Sequence, residues 1–198
     1  MKVFGIGLNK SASSSLIEAW DMLGHRKEIY WPEQDPQRTA MVMSAFTKNY
    51  KLLFDRVDQC TYFKDRPFNV WNMYKLLDKH YLDSKFILTV RDEEAWWDSV
   101  DRWLNNLVPG HHINEQMRLE KIEVYKHHFQ CDEVSKEKFI QYYRKYNQEV
   151  RDYFKGKDNF LEMDIPAGDG WNVMCPFLNE PILDVPFPHS NKNNVGKI

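Results

Sequence analysis

The run Lys85-Phe86-Ile87-Leu88-Thr89-Val90 constrains this chain more than any other segment, because Phe86, Ile87, Leu88 and Val90 stand together between polar neighbours. Successive side chains of a strand point to opposite faces, so apolar residues at consecutive positions need cover on both sides. Such a strand belongs inside a parallel sheet with helices packed on each face. Residues 2 to 6, Cys60 to Lys64 and Asn159 to Met163 read as further strands, and Lys27 to Tyr30 as a short one. Helical patterns alternate with them. Leu16, Ile17, Ala19, Trp20 and Leu23 recur at helical spacing, and Gly24 follows where a helix ends. Pro32 to Pro36 reads as a loop, and helices follow from Arg38 to about Phe54 and from Val70 to about Tyr81. Ala95, Trp96, Ser99, Val100, Trp103, Leu104 and Leu107 form one helical stripe. Residues 115 to 129 and 136 to 154 predict two more helices, and a short one begins near Gly170 before a proline-rich tail.

This alternation predicts a three-layer α/β fold, a mainly parallel sheet of about five strands flanked by helices, in one domain over residues 1–198. At 198 residues and 42% hydrophobic content the chain can build a core without disulfides or metals. Cys60, Cys131 and Cys175 are odd in number and form no CxxC pair, so a reducing, cytoplasmic setting is expected, with no metal. A formal charge of −2 speaks against broad neutralisation of a nucleic acid. There is no apolar run of about 18 residues, so no membrane span is expected. Met1 stands directly before the first strand, which gives the expectation of a complete chain. The pattern carries no signal for an oligomeric state.

Ligands of such sheets bind beyond the carboxyl ends of the strands, so the loops at Gly7, Asp65 and Arg91 should share one edge. The first loop, Gly5-Ile6-Gly7-Leu8-Asn9-Lys10-Ser11-Ala12-Ser13-Ser14-Ser15, joins a strand to a helix. Its small residues permit a tight turn, the amides at the helix start attract an anion, and Lys10 adds a full charge. It lacks the Gly-Lys pair of a Walker A loop, which weakens an ATP-hydrolysing reading. A solvated serine-rich turn is its bland counterpart. The second loop ends a core strand in Arg91, with Ser99 eight residues on. A guanidinium aimed at the ligand edge suits a phosphate.

Together the two loops resemble the sulfotransferase family. Asn9-Lys10-Ser11-Ala12-Ser13-Ser14 is similar to that family's 5′-phosphosulfate loop, Pro-Lys-[Ser/Thr]-Gly-Thr-Thr, and Arg91 with Ser99 is similar to its 3′-phosphate site. Thr89-Val90-Arg91-Asp92, Trp96 and Trp97, Asp65-Arg66-Pro67, Gly170-Trp171 and Pro186-Phe187-Pro188 resemble its small bacterial-type branch. The resemblance implies a P-loop NTPase-like fold that moves a sulfuryl group from 3′-phosphoadenosine 5′-phosphosulfate (PAPS) to a hydroxyl or amine of a small-molecule or glycan acceptor. It implies donor contacts from Lys10, Ser11, Ala12, Ser13, Ser14, Ser15, Arg91 and Ser99, and catalysis by Lys10 with Asp65 as the base. Asp65 could equally cap the next helix or pair with Lys64 or Arg66.

The chain departs from the family pattern at Ala12, which replaces the loop glycine and would be strained at a positive φ. It also lacks an Arg-Lys-Gly segment that many members place on the 3′-phosphate. A non-catalytic sulfotransferase-like binding module is therefore one alternative, and a nucleotide or small-molecule kinase on a related scaffold is another. His111-His112 and His127-His128 read as surface histidines rather than metal ligands, because adjacent residues on a helix point apart. Trp96 reads as core, as do Phe63, Phe68, Trp71, Tyr74 and Trp103, although these could line an acceptor pocket. His189 and Asn191 either line the donor pocket or belong to a surface tail.

Overall fold

A computed structural model describes residues 1–31, 35–105, 107 and 114–190. Strands β1 (Lys2–Gly5), β2 (Tyr62–Lys64), β3 (Ser84–Thr89) and β4 (Phe160–Met163) form an all-parallel sheet in the order β2-β1-β3-β4. Helices α1 (Ser13–Met22), α2 (Arg38–Phe46), α3 (Lys51–Val57), α4 (Met73–His80), α5 (Glu93–Leu104), α6 (Glu115–His128), α7 (Lys136–Phe154) and α8 (Trp171–Leu178) lie around it.

The two-sided cover predicted for the Lys85 to Val90 strand is what β3 receives. Ile87 and, on β1, Val3 pack with Leu16, Trp20, Trp171 and Met174 from α1 and α8. Phe86, Leu88 and, on β1, Phe4 turn to the other core, with Leu53, Leu77, Trp96, Tyr146 and Phe154. On that face Phe4 pairs in register with Phe63 and Phe86, their ring centres 5.0 and 5.4 Å away, so one aromatic row crosses three adjacent strands.

Two elements differ from the sequence expectation. The segment expected as a strand from Lys27 to Tyr30 is a short 3₁₀ turn at Arg26–Glu28, followed by a single bridge from Ile29 to Tyr62. The described sheet therefore has four strands. The helix expected from Arg38 to Phe54 is broken between α2 and α3. Lys48 takes φ 59°, and its amide and that of Asn49 close back on Ala45 and Ser44, a Schellman end in which lysine occupies the position glycine usually takes. Thr47 assists by donating its hydroxyl to Met43 and Ser44 carbonyls at 3.2 and 3.1 Å. Among the described residues, no helix is long and apolar enough to cross a membrane.

The chain runs from β1 out to β2 and then crosses to β3 on the other side of β1. That reversal leaves a crevice beyond the carboxyl ends of β1 and β3, the place where ligands of open parallel sheets bind.

Candidate functional site

The loop from β1 to α1 is held from behind, carbonyl by carbonyl. Tyr146 Oη donates to Ile6 O at 2.7 Å, Asn69 Nδ2 to Gly7 O at 3.0 Å, Ser11 Oγ to Leu8 O at 2.6 Å, Trp96 Nε1 to Asn9 O at 3.0 Å and Arg91 Nη1 to Lys10 O at 3.2 Å. With these acceptors engaged by the protein, the loop has its amides to offer a ligand. No described side chain caps α1, and its first turn closes only at Leu16 N–H to Ala12 O, 3.2 Å, which leaves the amides of Ser13, Ser14 and Ser15 at the helix start.

Ala12 takes φ 77° and ψ 22° at the N-cap, the left-handed conformation in which the sequence comparison anticipated strain. The loop keeps this shape at a cost of about 1 kcal/mol. Ala12→Gly relieves that cost but frees the unfolded chain, so a net gain of about 0.5 kcal/mol, or roughly 1–2 °C in Tm, is expected. Thermal unfolding of the two proteins checks it; a lower Tm for the glycine variant contradicts it.

In front of the loop lies a cavity of about 620 Å³. Lys10, Ala12, Ser13, Ser14 and Ser15 line its floor, Arg91 and Ser99 one side, and Lys64, Asp65 and Arg66 the other, with Arg38, Trp103 and Tyr125 beyond. The three loops expected on one edge thus meet there. Asp65 is the one carboxylate among the described lining residues, against the cations of Lys10, Arg38, Lys64, Arg66 and Arg91. Arg38 Nε, Arg66 Nη1 and Arg91 Nε are buried with no described hydrogen-bond partner. Buried donors without partners are rare in folded proteins and point to a ligand that supplies the acceptors.

Burial lowers the pKa of Lys10 from its ordinary 10.5; Asp65 opposes this, while Arg102, Arg91 and Lys64 reinforce it. Asp65, at φ 60°, is held on both oxygens, Oδ1 by Asn9 Nδ2 at 2.8 Å and Oδ2 by Lys64 Nζ at 2.7 Å. It pairs with Lys64, not Arg66, and α4 is entered from Asn72. Burial pushes the Tyr125 phenol up to about 12, with Arg66 pulling the other way.

Ser11 stands apart from the other loop residues. It is fully buried behind the cavity, its amide and hydroxyl both spent on Leu8 O and its Oγ 2.8 Å from Thr89 Oγ1, so it fastens the loop to β3 rather than reaching a ligand. His189 lies at the cavity rim, next to Ser190, whose amide donates to Ser15 Oγ at 3.0 Å; Asn191 lies outside the described residues. Trp96 is core, stacked on Tyr143 at 4.4 Å, and also tethers the loop. Phe63, Phe68 and Tyr74 are core, while Trp103 reaches the cavity and Trp71 is half-buried.

The tethers leave no local signal in the sequence. Tyr143 Oη both donates to Arg91 O and accepts from Arg91 N, each at 2.9 Å, which fixes the end of β3. Asn69 is fully buried and bridges Gly7 to His128, whose Nε2 lies 3.1 Å from Asn69 O. His128 is not a surface residue but wholly buried, while His127 is exposed; His111-His112 lie outside the described residues. The spacing Tyr125, His128, Phe129 was the available signal, an inward stripe at i, i+3 and i+4.

Burial, reinforced by Arg66, pushes the His128 pKa from 6.5 down to about 3. The unfolded chain therefore takes up this proton first, so the contribution is complete above pH 6.5 and is lost as pH falls toward 3. A slope approaching about 1.4 kcal/mol per pH unit is expected from this residue. Urea unfolding between pH 8 and 4 should show a shallower acid loss in His128→Gln; identical slopes would count against it.

A parallel α/β sheet, a strand-loop-helix turn at its switch point and an arginine just beyond the neighbouring strand define a P-loop-like fold. A model of the sulfotransferase domain matches residues 2–195, and the chain belongs to the sulfotransferase family, whose common chemistry is sulfuryl transfer. Among curated proteins, none matches the chain.

Proposed function

We propose that the protein transfers a sulfuryl group from PAPS to a hydroxyl acceptor, with the donor lying along the cavity floor from the Lys10 loop to Arg91 and Ser99. The observation that carries this is Arg91: its buried Nε has no hydrogen-bond partner among the described residues, and it lines the same cavity as the start of α1. These residues fit a ligand with anionic groups at two ends, the 5′ end at the Ser13, Ser14 and Ser15 amides and the 3′-phosphate at Arg91 and Ser99.

The donor supplies an activated sulfuryl group, and the protein positions and stabilises charge. The acceptor oxygen bonds to sulfur as the bond from sulfur to the bridging oxygen breaks, and the nucleotide departs as 3′-phosphoadenosine 5′-phosphate. Lys10 neutralises charge growing on that bridging oxygen. Asp65 receives the acceptor's proton, while Lys64 and Asn9 hold its carboxylate in place.

The test follows radiolabelled sulfuryl from PAPS onto a panel of phenols, sugars and amines. Asp65→Asn, which keeps the left-handed backbone accessible, should lower turnover about a hundredfold or more and leave nucleotide affinity within about twofold. Unchanged turnover ends the base assignment. No transfer to any acceptor by a protein that still binds the nucleotide would favour the binding-module reading.

A further inference from the structure

We infer that the β2 side of the cavity is a subsite for an acidic group, so that the acceptor is a hydroxyl compound carrying a carboxylate or ester sulfate; this rests on the sulfotransferase reading above. The sheet order separates the two halves of the cavity. Arg91 and Ser99 follow β3 on one side of the Lys10 loop, whereas Arg66 follows Asp65 at the end of β2 on the other, and Arg38 opens α2. Donor phosphates already have Lys10, the α1 amides and Arg91 as partners. Arg38 and Arg66 are surplus to that need.

Their burial makes the surplus costly. Arg66 is 8% exposed, and its Nη1 and the Nε of Arg38 are buried without a described partner. Asp65 is held by Lys64 and Asn9, and Asp35 lies 2.9 Å from Arg56 Nε, though its Oδ2 is buried without a described hydrogen bond, so Arg66 above all is the surplus cation. Arg66 rests on the Tyr125 ring, 4.8 Å from its centre, which orients the guanidinium without neutralising it. A buried guanidinium with open donors matches the fork of a carboxylate or sulfate. A neutral acceptor would leave that charge desolvated and unpaired. The position beside Asp65 would set the acidic group next to the hydroxyl that loses its proton.

Calorimetric titration of the protein saturated with 3′-phosphoadenosine 5′-phosphate tests this, with 4-hydroxybenzoate against its amide, and methyl glucuronide and galactose 6-sulfate each against the neutral sugar. At least one acid should bind about tenfold or more tighter than its neutral twin. The preference should collapse in Arg66→Met, and in Arg38→Met should the buried Arg66 variant fail to fold, while nucleotide affinity stays within about twofold. Acids that bind no better than their twins overturn the subsite and leave the donor reading standing. Loss of nucleotide affinity in both variants assigns the arginines to the donor and overturns it too. A wild-type protein that does not bind the nucleotide removes the sulfotransferase reading and the subsite together.

Discussion

Lys10→Met is expected to lower sulfuryl transfer about a hundredfold to a thousandfold, the usual loss when a single charge-stabilising donor is taken from a transition state. The same change should leave the ligand-free protein as stable or more so. Lys10 is crowded by Arg91, Arg102 and Lys64 and loses solvation on folding, so its charged form is disfavoured there. The sign follows from proton binding. A lysine whose folded pKa lies below 10.5 binds fewer protons folded than unfolded between the two values, so stability rises with pH across that window. An anion at Lys10 reverses the preference, and nucleotide affinity should fall as pH climbs through the lowered pKa. Unfolding and binding measured above pH 8 in both proteins check this: the stability of the wild type should rise with pH relative to that of Lys10→Met, and its nucleotide affinity should fall more steeply than the variant's. A variant that loses stability along with activity would show that Lys10 serves the fold instead.

Gly7→Ala should be the most disruptive small substitution in the loop. An added Cβ would meet Thr89 Oγ1 at 2.1 Å, Thr89 O at 2.6 Å and Ser11 Oγ at 2.8 Å. Two of those atoms form the hydroxyl pair that fastens the loop to β3, and the third is backbone. The strand end must move, at a cost of about 3 kcal/mol and roughly 6–12 °C in Tm, and the amides move with it, so nucleotide affinity should fall tenfold or more. Gly5→Ala is the matched control. Its Cβ would meet the flexible Leu16 Cδ2 at 3.0 Å and Phe63 O at 3.3 Å, for about 1 kcal/mol. Thermal unfolding and nucleotide titration of both variants decide the matter, and equal losses would refute the special tightness assigned to Gly7.

Local chemistry explains what the sequence disclosed. The two-sided apolar run at Phe86 to Val90 implied the buried sheet, and the order of small residues, Lys10 and serines implied the loop, because both signals lie within a few neighbouring residues. The tethers were hidden because they are made at long range. Tyr146 reaches Ile6 across 140 positions, Trp96 reaches Asn9 across 87, and Asn69 reaches Gly7 across 62. Ser11 looked like a donor contact by motif, yet only the register of β1 against β3 turns its hydroxyl toward Thr89. Arg66 stands inside a recognised motif and Arg38 at a helix start, and neither position alone reveals a guanidinium nitrogen buried without a described partner. Lys27 to Tyr30 has strand composition but makes a single bridge, since Arg26–Glu28 turn as a 3₁₀ helix and only the Tyr30 amide goes on to bond β2, at Tyr62 O, 2.8 Å.

Donor recognition is tested most directly by a calorimetric comparison of 3′-phosphoadenosine 5′-phosphate, adenosine 5′-phosphate and ATP, in the wild type and in Arg91→Met. The doubly phosphorylated nucleotide should bind tightest, at least about tenfold above adenosine 5′-phosphate, if Arg91 and Ser99 meet the phosphate that the second ligand lacks. Arg91→Met should erase that difference. Tighter binding of ATP, or a preference for the 3′-phosphate that survives in Arg91→Met, would contradict it.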